Sequence, residues 1–199
     1  NLDFASGAPD MVAIGGHKIG APAGIGALLM KGHCDEVRLI PGGGQESGRR
    51  GGTESAALIA GFGAAAAAFP AKFYAADTSR LIRTVEEAVR NLAPDAVIFC
   101  ERADRIGSIT SFAVPGLKAA VAMMGLDLKG VSVSSGSACS SGKVGTSHVL
   151  RAMGVPPELA DCALRVSVGW NSTGKDIEAF LAAFSEVLGR HRARHGVAA

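Results

Sequence analysis

Apolar residues in this chain come in short runs cut off by glycine or proline, a punctuation that favours brief buried strands joined by helices. Met11 to Ile14 and Gly26 to Met30 read as such strands, with Pro22 and Gly24 marking a turn between them. Pro41 to Gly52 is a glycine-rich loop. Thr53 and Glu54 then precede an Ala/Leu/Ile-rich stretch, which predicts a helix from Thr53 to about Ala68 that ends near Pro70. From Ala71 onward helices and strands alternate. The spacing of Leu81, Ile82, Val85, Val89 and Leu92 predicts an amphipathic helix over Thr78 to Leu92. Strands are predicted at 96–99, 109–114, 131–134 and 164–168, and helices at 118–126, 147–153 and 174–188. The chain is therefore expected to be α/β, with residues 1–72 belonging to one domain and residues 73–199 to a second, small one.

Composition excludes several classes of function. Hydrophobic residues make up 48% of the chain, enough to build a core. Twenty Lys and Arg against 18 Asp and Glu leave a formal charge of +2, so no broad basic field argues for nucleic acid. The one dense basic run, Arg190-His191-Arg192-Ala193-Arg194-His195, falls at the end of the last predicted helix, where positive groups complement the helix dipole and stay solvated. No uninterrupted apolar run reaches the roughly 18 residues of a membrane span. The N-terminus shows no secretory pattern. Cys34, Cys100, Cys139 and Cys162 are scattered without the paired spacing of a zinc site, so no metal is expected, and a reduced, cytoplasmic setting is. Cys34, Cys100 and Cys162 read as packing residues and His148 as a residue that caps or packs a short helix.

Two segments carry chemistry. Cys139 sits within Ser134-Ser135-Gly136-Ser137-Ala138-Cys139-Ser140-Ser141-Gly142, where small, flexible, hydroxyl-bearing neighbours let a thiol meet a substrate. Lys18 sits within Gly15-Gly16-His17-Lys18-Ile19-Gly20, after an apolar run and between glycines that permit close approach. A loop thiol and a glycine-flanked lysine together suggest covalent chemistry with a carbonyl cofactor. A dinucleotide site does not fit, because Gly24-Ile25-Gly26-Ala27-Leu28-Leu29 lacks the third glycine, and no phosphate loop ends in Gly-Lys-Ser/Thr.

These segments resemble the cysteine desulfurases of the NifS/IscS type, pyridoxal-phosphate enzymes of the class V aminotransferase group. Further matches are Gly42-Gly43-Gly44-Gln45-Glu46, Arg50-Gly51-Gly52-Thr53, Ser147-His148-Val149-Leu150-Arg151-Ala152-Met153-Gly154 and Leu164-Arg165-Val166-Ser167-Val168-Gly169. The resemblance implies a fold type I PLP-dependent transferase, of which this chain is the C-terminal half: the end of the large cofactor domain plus a small α/β domain. It implies pyridoxal 5'-phosphate as cofactor, Lys18 as its covalent anchor, and His17 and Thr53 as phosphate contacts. Thr53 would act across a homodimer. Arg165 becomes the clamp on the substrate carboxylate, and Cys139 the thiol that takes sulfur from L-cysteine as a persulfide. The pattern around Cys139 is that of the group I enzymes, whose acceptors include iron–sulfur scaffold proteins.

On context alone, Lys18 is a solvated lysine at a strand end, Thr53 a helix cap, and Arg165 an exposed strand arginine. The family usually has Ser where this chain has Gly15, which removes one hydroxyl from the phosphate cradle. The ring-stacking His, the Asp for the pyridine nitrogen and the Gln near the ring oxygen are expected from an upstream polypeptide. Asp10 lies in the strand leading into Lys18 and does not match the pyridine partner. Two other readings stay open at this point: another class V enzyme, such as a selenocysteine lyase or an aminotransferase, and an inactive half-chain that binds a partner.

Overall fold

The structure, a computed structural model, describes residues 9–38, 40–75, 77–135 and 147–196. The chain divides into two compact units, residues 1–75 and 76–199. Among the described residues, no helix is long and apolar enough to cross a membrane.

In the first unit, β1 (Met11–Gly15) and β2 (Gly26–Met30) form an antiparallel hairpin in which Met11 faces Met30 and Gly15 faces Gly26. A single 3-10 turn, Gly16–Ile19, follows β1 directly. The long helix α2 (Ala56–Ala75) packs on that turn. Glycine makes this approach possible: a Cβ at Gly16 would lie 2.8 Å from the Ile25 carbonyl and 3.1 Å from Phe62 of α2, and one at Gly61 would lie 2.8 Å from Pro22. The open end of the hairpin is closed by Asp10. Its carbonyl accepts from Lys31 N–H at 3.0 Å, and its carboxylate pairs with Lys31 at 3.2 Å and His33 at 3.3 Å. The hydrogen bond and charge of Lys31 hold the Asp10 carboxyl below its ordinary pKa.

Helix α2 differs from expectation at both ends. It begins at Ala56 instead of Thr53, because Ser55 Oγ accepts from Leu58 N–H at 3.4 Å and supplies the cap. It also runs through Pro70 to Ala75. Proline removes one ladder bond, but the alanines of Ala64 to Ala68 ahead of it are the strongest helix formers. Ahead of α2, the turn α1 (Gln45–Gly48) is helical by hydrogen bonding only. Glu46 and Ser47 both occupy the left-handed region, with φ of 53° and 58°.

The second unit holds an antiparallel sheet of order β3-β4-β6-β5, made of β3 (Val97–Ile98), β4 (Ile109–Ala113), β6 (Ala163–Ser167) and β5 (Ser134–Ser135). Of the expected strand 131–134 only Ser134 lies in a strand, which runs Ser134–Ser135, the two residues there that among the described residues find partners on β6. One face of the sheet is covered by α3 (Thr78–Leu92), α4 (Ala119–Asp127) and α7 (Gly174–His195). Alternation along the strands sends Phe112, Leu164 and Val166 into this core. There Phe112 meets Phe184 edge to face, with centroids 5.5 Å apart. Asp77 caps α3, and a reciprocal Thr173–Asp176 capping box starts α7. The other face carries a smaller cluster of Phe99, Ala113, Leu150, Ala160, Cys162 and Ala163 under α5 (His148–Ala152) and α6 (Pro157–Ala160). Ser147 caps α5, accepting from Leu150 N–H at 3.3 Å, and His148 is exposed. His148 therefore neither caps nor packs that helix.

A two-pronged ion pair ties the loop after β3 to α3. Arg105 donates to both carboxylate oxygens of Glu86 at 2.7 and 3.0 Å, with the Glu86 side chain only 8% exposed. Burial pushes the Glu86 carboxyl up, but the hydrogen bonds and charge of Arg105 outweigh it, so the net shift is downward. A depressed folded pKa means that the stabilisation is complete above the ordinary glutamate value of 4.5 and is lost as pH falls through the lower folded one. Arg105→Ala, which strands a buried carboxylate, should lower unfolding stability by about 2 kcal/mol at neutral pH in urea titrations. Glu86→Gln should reduce the loss of stability between about pH 5 and 3. An unchanged acid limb in that variant would remove the pair from this role.

Candidate active site

Lys18 and His17 occupy the 3-10 turn behind β1, and both side chains are exposed. The turn is held by Gly16 N–H donating to Ile25 O at 2.9 Å and Ala21 N–H to Gly16 O at 3.0 Å. It is terminated by Gly20 with φ of 89°. Phe62 of α2 lies against the turn at Gly16, and Lys18 is exposed. Among the described residues, neither the Lys18 amine nor the His17 ring makes a hydrogen bond or ion pair. Thr53 is exposed ahead of α2, and because Ser55 does the capping, its hydroxyl is left available. These three residues are thus carried by two elements that pack together, the 3-10 turn and the segment entering α2. The Asp10 carboxylate is held by Lys31 and His33 at the far end of the hairpin.

In the second unit Arg165 stands on β6 between two serines, in register with Ser111 of β4 on one side and Ser134 of β5 on the other. Its neighbours Leu164 and Val166 point into the core, so alternation places Arg165 on the opposite face of the sheet. Ser111 Oγ donates to the Leu164 carbonyl at 3.1 Å. One Arg165 terminal nitrogen donates to Ser134 Oγ at 3.2 Å, while Arg165 Nε is buried and has no partner among the described residues. The guanidinium lines a pocket of about 340 Å³ together with Phe99, Cys100, Arg105, Ser147 and Met153. A planar fork with a donor to spare, at a pocket wall, suits a carboxylate.

Cys139 lies outside the described residues. The described chain on either side of it comes to this same place: Ser134 touches Arg165, and Ser147, which starts α5, lines the Arg165 pocket. The other cysteines divide. Cys162 is buried, its thiol donates to the Glu158 carbonyl at 3.3 Å, and burial pushes its pKa up, which suppresses the thiolate. Cys34 is also buried. Cys100 is exposed, in the left-handed region with φ of 55°, and opens onto the Arg165 pocket, so it is not the packing residue expected. Its sequence context, at the end of the strand Val97–Ile98, carries no signal of this. Nor did the sequence single out Ser111 and Ser134 as the neighbours of Arg165, because that pairing depends on strand register. Among the described residues, no group of His, Cys, Asp and Glu could hold a metal ion.

Comparison with known proteins gives this arrangement its family. The chain is 34% identical over 194 residues to a cysteine desulfurase of Nostoc sp., an alignment covering 96% of this chain and 48% of that protein. Among solved structures, a NifS-like protein from Rickettsia africae superposes with a TM-score of 0.79 at 34% identity, covering 90% of this chain and 48% of that one. SspA, solved in complex with cysteine, superposes with a TM-score of 0.61 at 29% identity, covering 82% and 45%. The chain spans about half the length of the curated relatives it matches. The aminotransferase class-V family model matches residues 1–180, and the chain belongs to that family.

Proposed function

We propose that this chain supplies the lysine, the carboxylate clamp and the sulfur-accepting thiol of a PLP-dependent cysteine desulfurase. The observation that carries this reading is Arg165. It is a half-buried guanidinium with an unpartnered Nε, placed at the root of the Cys139 segment, in a chain whose relatives are named cysteine desulfurases. An aminotransferase or an inactive binding subunit gives no reason for a carboxylate clamp at the point where the chain leaves for a serine- and glycine-flanked cysteine.

The family's cofactor is pyridoxal 5'-phosphate. The residues present fit two of its ends: a partner-free amine on a glycine-flanked turn for the aldehyde, and an imidazole and a hydroxyl for the phosphate. Gly15 contributes no hydroxyl to that cradle. When bound, the cofactor draws electrons from the substrate α-carbon. Lys18 Nζ would hold it covalently and would move the substrate α-proton. Arg165 holds the substrate carboxylate in two-pronged fashion, with Ser134 steadying one terminal nitrogen. Cys139, as thiolate, attacks the substrate sulfur. The S–S bond forms as the C–S bond breaks, the sulfur is oxidised to the persulfide level, and the carbon takes a proton to leave as alanine. Thr53 serves the phosphate of the neighbouring protomer of a homodimer. The ring-stacking, pyridine and ring-oxygen partners come from an upstream polypeptide. The persulfide is handed to an acceptor such as an iron–sulfur scaffold protein.

Given L-cysteine and a thiol reductant, the assembly with its upstream polypeptide should release alanine and sulfide in equal amounts. Alanine without sulfide, or neither product, contradicts the proposal. Arg165→Lys keeps the charge but loses the fork and should raise KM for cysteine by about ten- to a hundredfold, corresponding to about 1.5–3 kcal/mol for a charged hydrogen-bond pair. An unchanged KM would remove Arg165 from the clamp. In the absence of cysteine, borohydride should fix the cofactor to Lys18, and Lys18→Ala should abolish the fixed adduct. An adduct on any other residue would reassign the anchor.

A further inference from the structure

Helix α4 is apolar along its length up to its last residue, the exposed Asp127. The stretch from Ala119 to Leu126 contains no charged or hydrogen-bonding side chain, and Ala119, Ala122 and Leu126 are buried against the core. Its other side is left in solvent: Val121 is 55% exposed, Met124 68% and Leu128, just past the helix, 82%. These three recur at the spacing of one helix face. A helix that is apolar on both sides ordinarily has both sides covered, and a contiguous stripe of large exposed apolar groups marks a surface that meets a partner.

The stripe forms one wall of a cleft of about 380 Å³, and α7 forms the other. The α7 wall is basic. Arg190, His191 and Arg194 line the cleft together with Lys118 at its end, and no Asp or Glu lines it. Lys118 has Asp161 at 3.2 Å and Arg190 has Glu186 at 3.7 Å, but both carboxylates lie outside the lining. Arg194 has no ionic partner among the described residues. The charges thus belong to one sign, and they stand across a narrow cleft from the apolar stripe.

From this pairing we propose that the α4–α7 cleft is a docking groove for an acidic segment of a partner protein, one that presents carboxylates to α7 and apolar side chains to α4. The concavity favours a protein segment over a membrane, which would need the apolar residues to protrude. The absence of aromatic stacking residues in the lining disfavours a nucleic acid strand. An amphipathic helix laid in a groove with anchors at i, i+3 and i+7 is the recognition mode that this spacing fits. The groove lies within one compact unit and is independent of the proposed chemistry at Lys18 and Arg165.

The probe is a synthetic helical peptide with leucines at i, i+3 and i+7 flanked by glutamates, and its control is the same peptide with lysines for the glutamates. Both are titrated into the isotope-labelled full chain and followed by NMR. The acidic peptide should shift the resonances of Val121, Met124, Leu128 and Arg194, and its Kd should rise at least about tenfold in Leu128→Glu and in Arg194→Glu. Its binding should also weaken as salt is raised. Both substitutions are at exposed positions, and circular dichroism of each variant verifies the fold. Equal binding of the two peptides, or shifts confined to other surfaces, would overturn the proposal. So would binding of phosphatidylserine vesicles through this face, self-association that Met124→Glu abolishes, or burial of Met124 by the upstream polypeptide. These results would assign the groove to a membrane, to a second copy or to the enzyme's own other half.

Discussion

The pairing of β6 on both of its edges is the constraint on which the second unit depends. Hydrogen-bonded to β4 on one side and β5 on the other, this strand satisfies its backbone internally and fixes which face each of its residues presents. Leu164 and Val166 go to the core with Phe112 and Phe184, and Arg165 is carried to the opposite face between Ser111 and Ser134. A slip of one residue would exchange these roles, burying a guanidinium and exposing two large apolar groups. The same register brings β5 to Arg165, and so sets where the chain leaves for the segment bearing Cys139. A carboxylate clamp beside a sulfur-accepting thiol is the proposed consequence of one strand's pairing.

The first unit is built on different terms. Among the described residues its sheet has two strands, and the outer edge of each lacks a partner strand. An isolated pair of strands is marginal in water. Here the hairpin is backed by α2 through the close approaches at Gly16 and Gly61, yet Met11 and Leu28 remain exposed. The turn bearing Lys18 is held firmly from behind and open in front. This suits a lysine whose proposed role is to hold a cofactor and move a proton through an exposed amine.

Much of the second unit was legible in the sequence because its elements are amphipathic. Leu81, Ile82, Val85 and Val89 marked α3, and the apolar runs at 109–114 and 164–168 marked the central strands, which the structure places at Ile109–Ala113 and Ala163–Ser167. The departures have local causes. Ser55 outcompetes Thr53 as a cap, and α2 passes through Pro70 on the strength of its alanines. The left-handed Glu46, Ser47 and Cys100 carry no compositional mark, since a non-glycine residue enters that region only when its surroundings hold it there. The roles of Lys18, Arg165 and Cys139 rest on motif resemblance. Geometry added what no motif could: the serine pair that brackets Arg165, and an exposed Cys100 in its pocket.

That second thiol makes the decisive measurement a matter of position. The assembled protein, treated with L-cysteine and alkylated without reduction, should yield by peptide mass spectrometry one added sulfur atom on the peptide containing Cys139. The peptides of Cys34, Cys100 and Cys162 should be unchanged. Added sulfur on Cys100, the exposed thiol that shares the Arg165 pocket, with none on Cys139, would contradict the account.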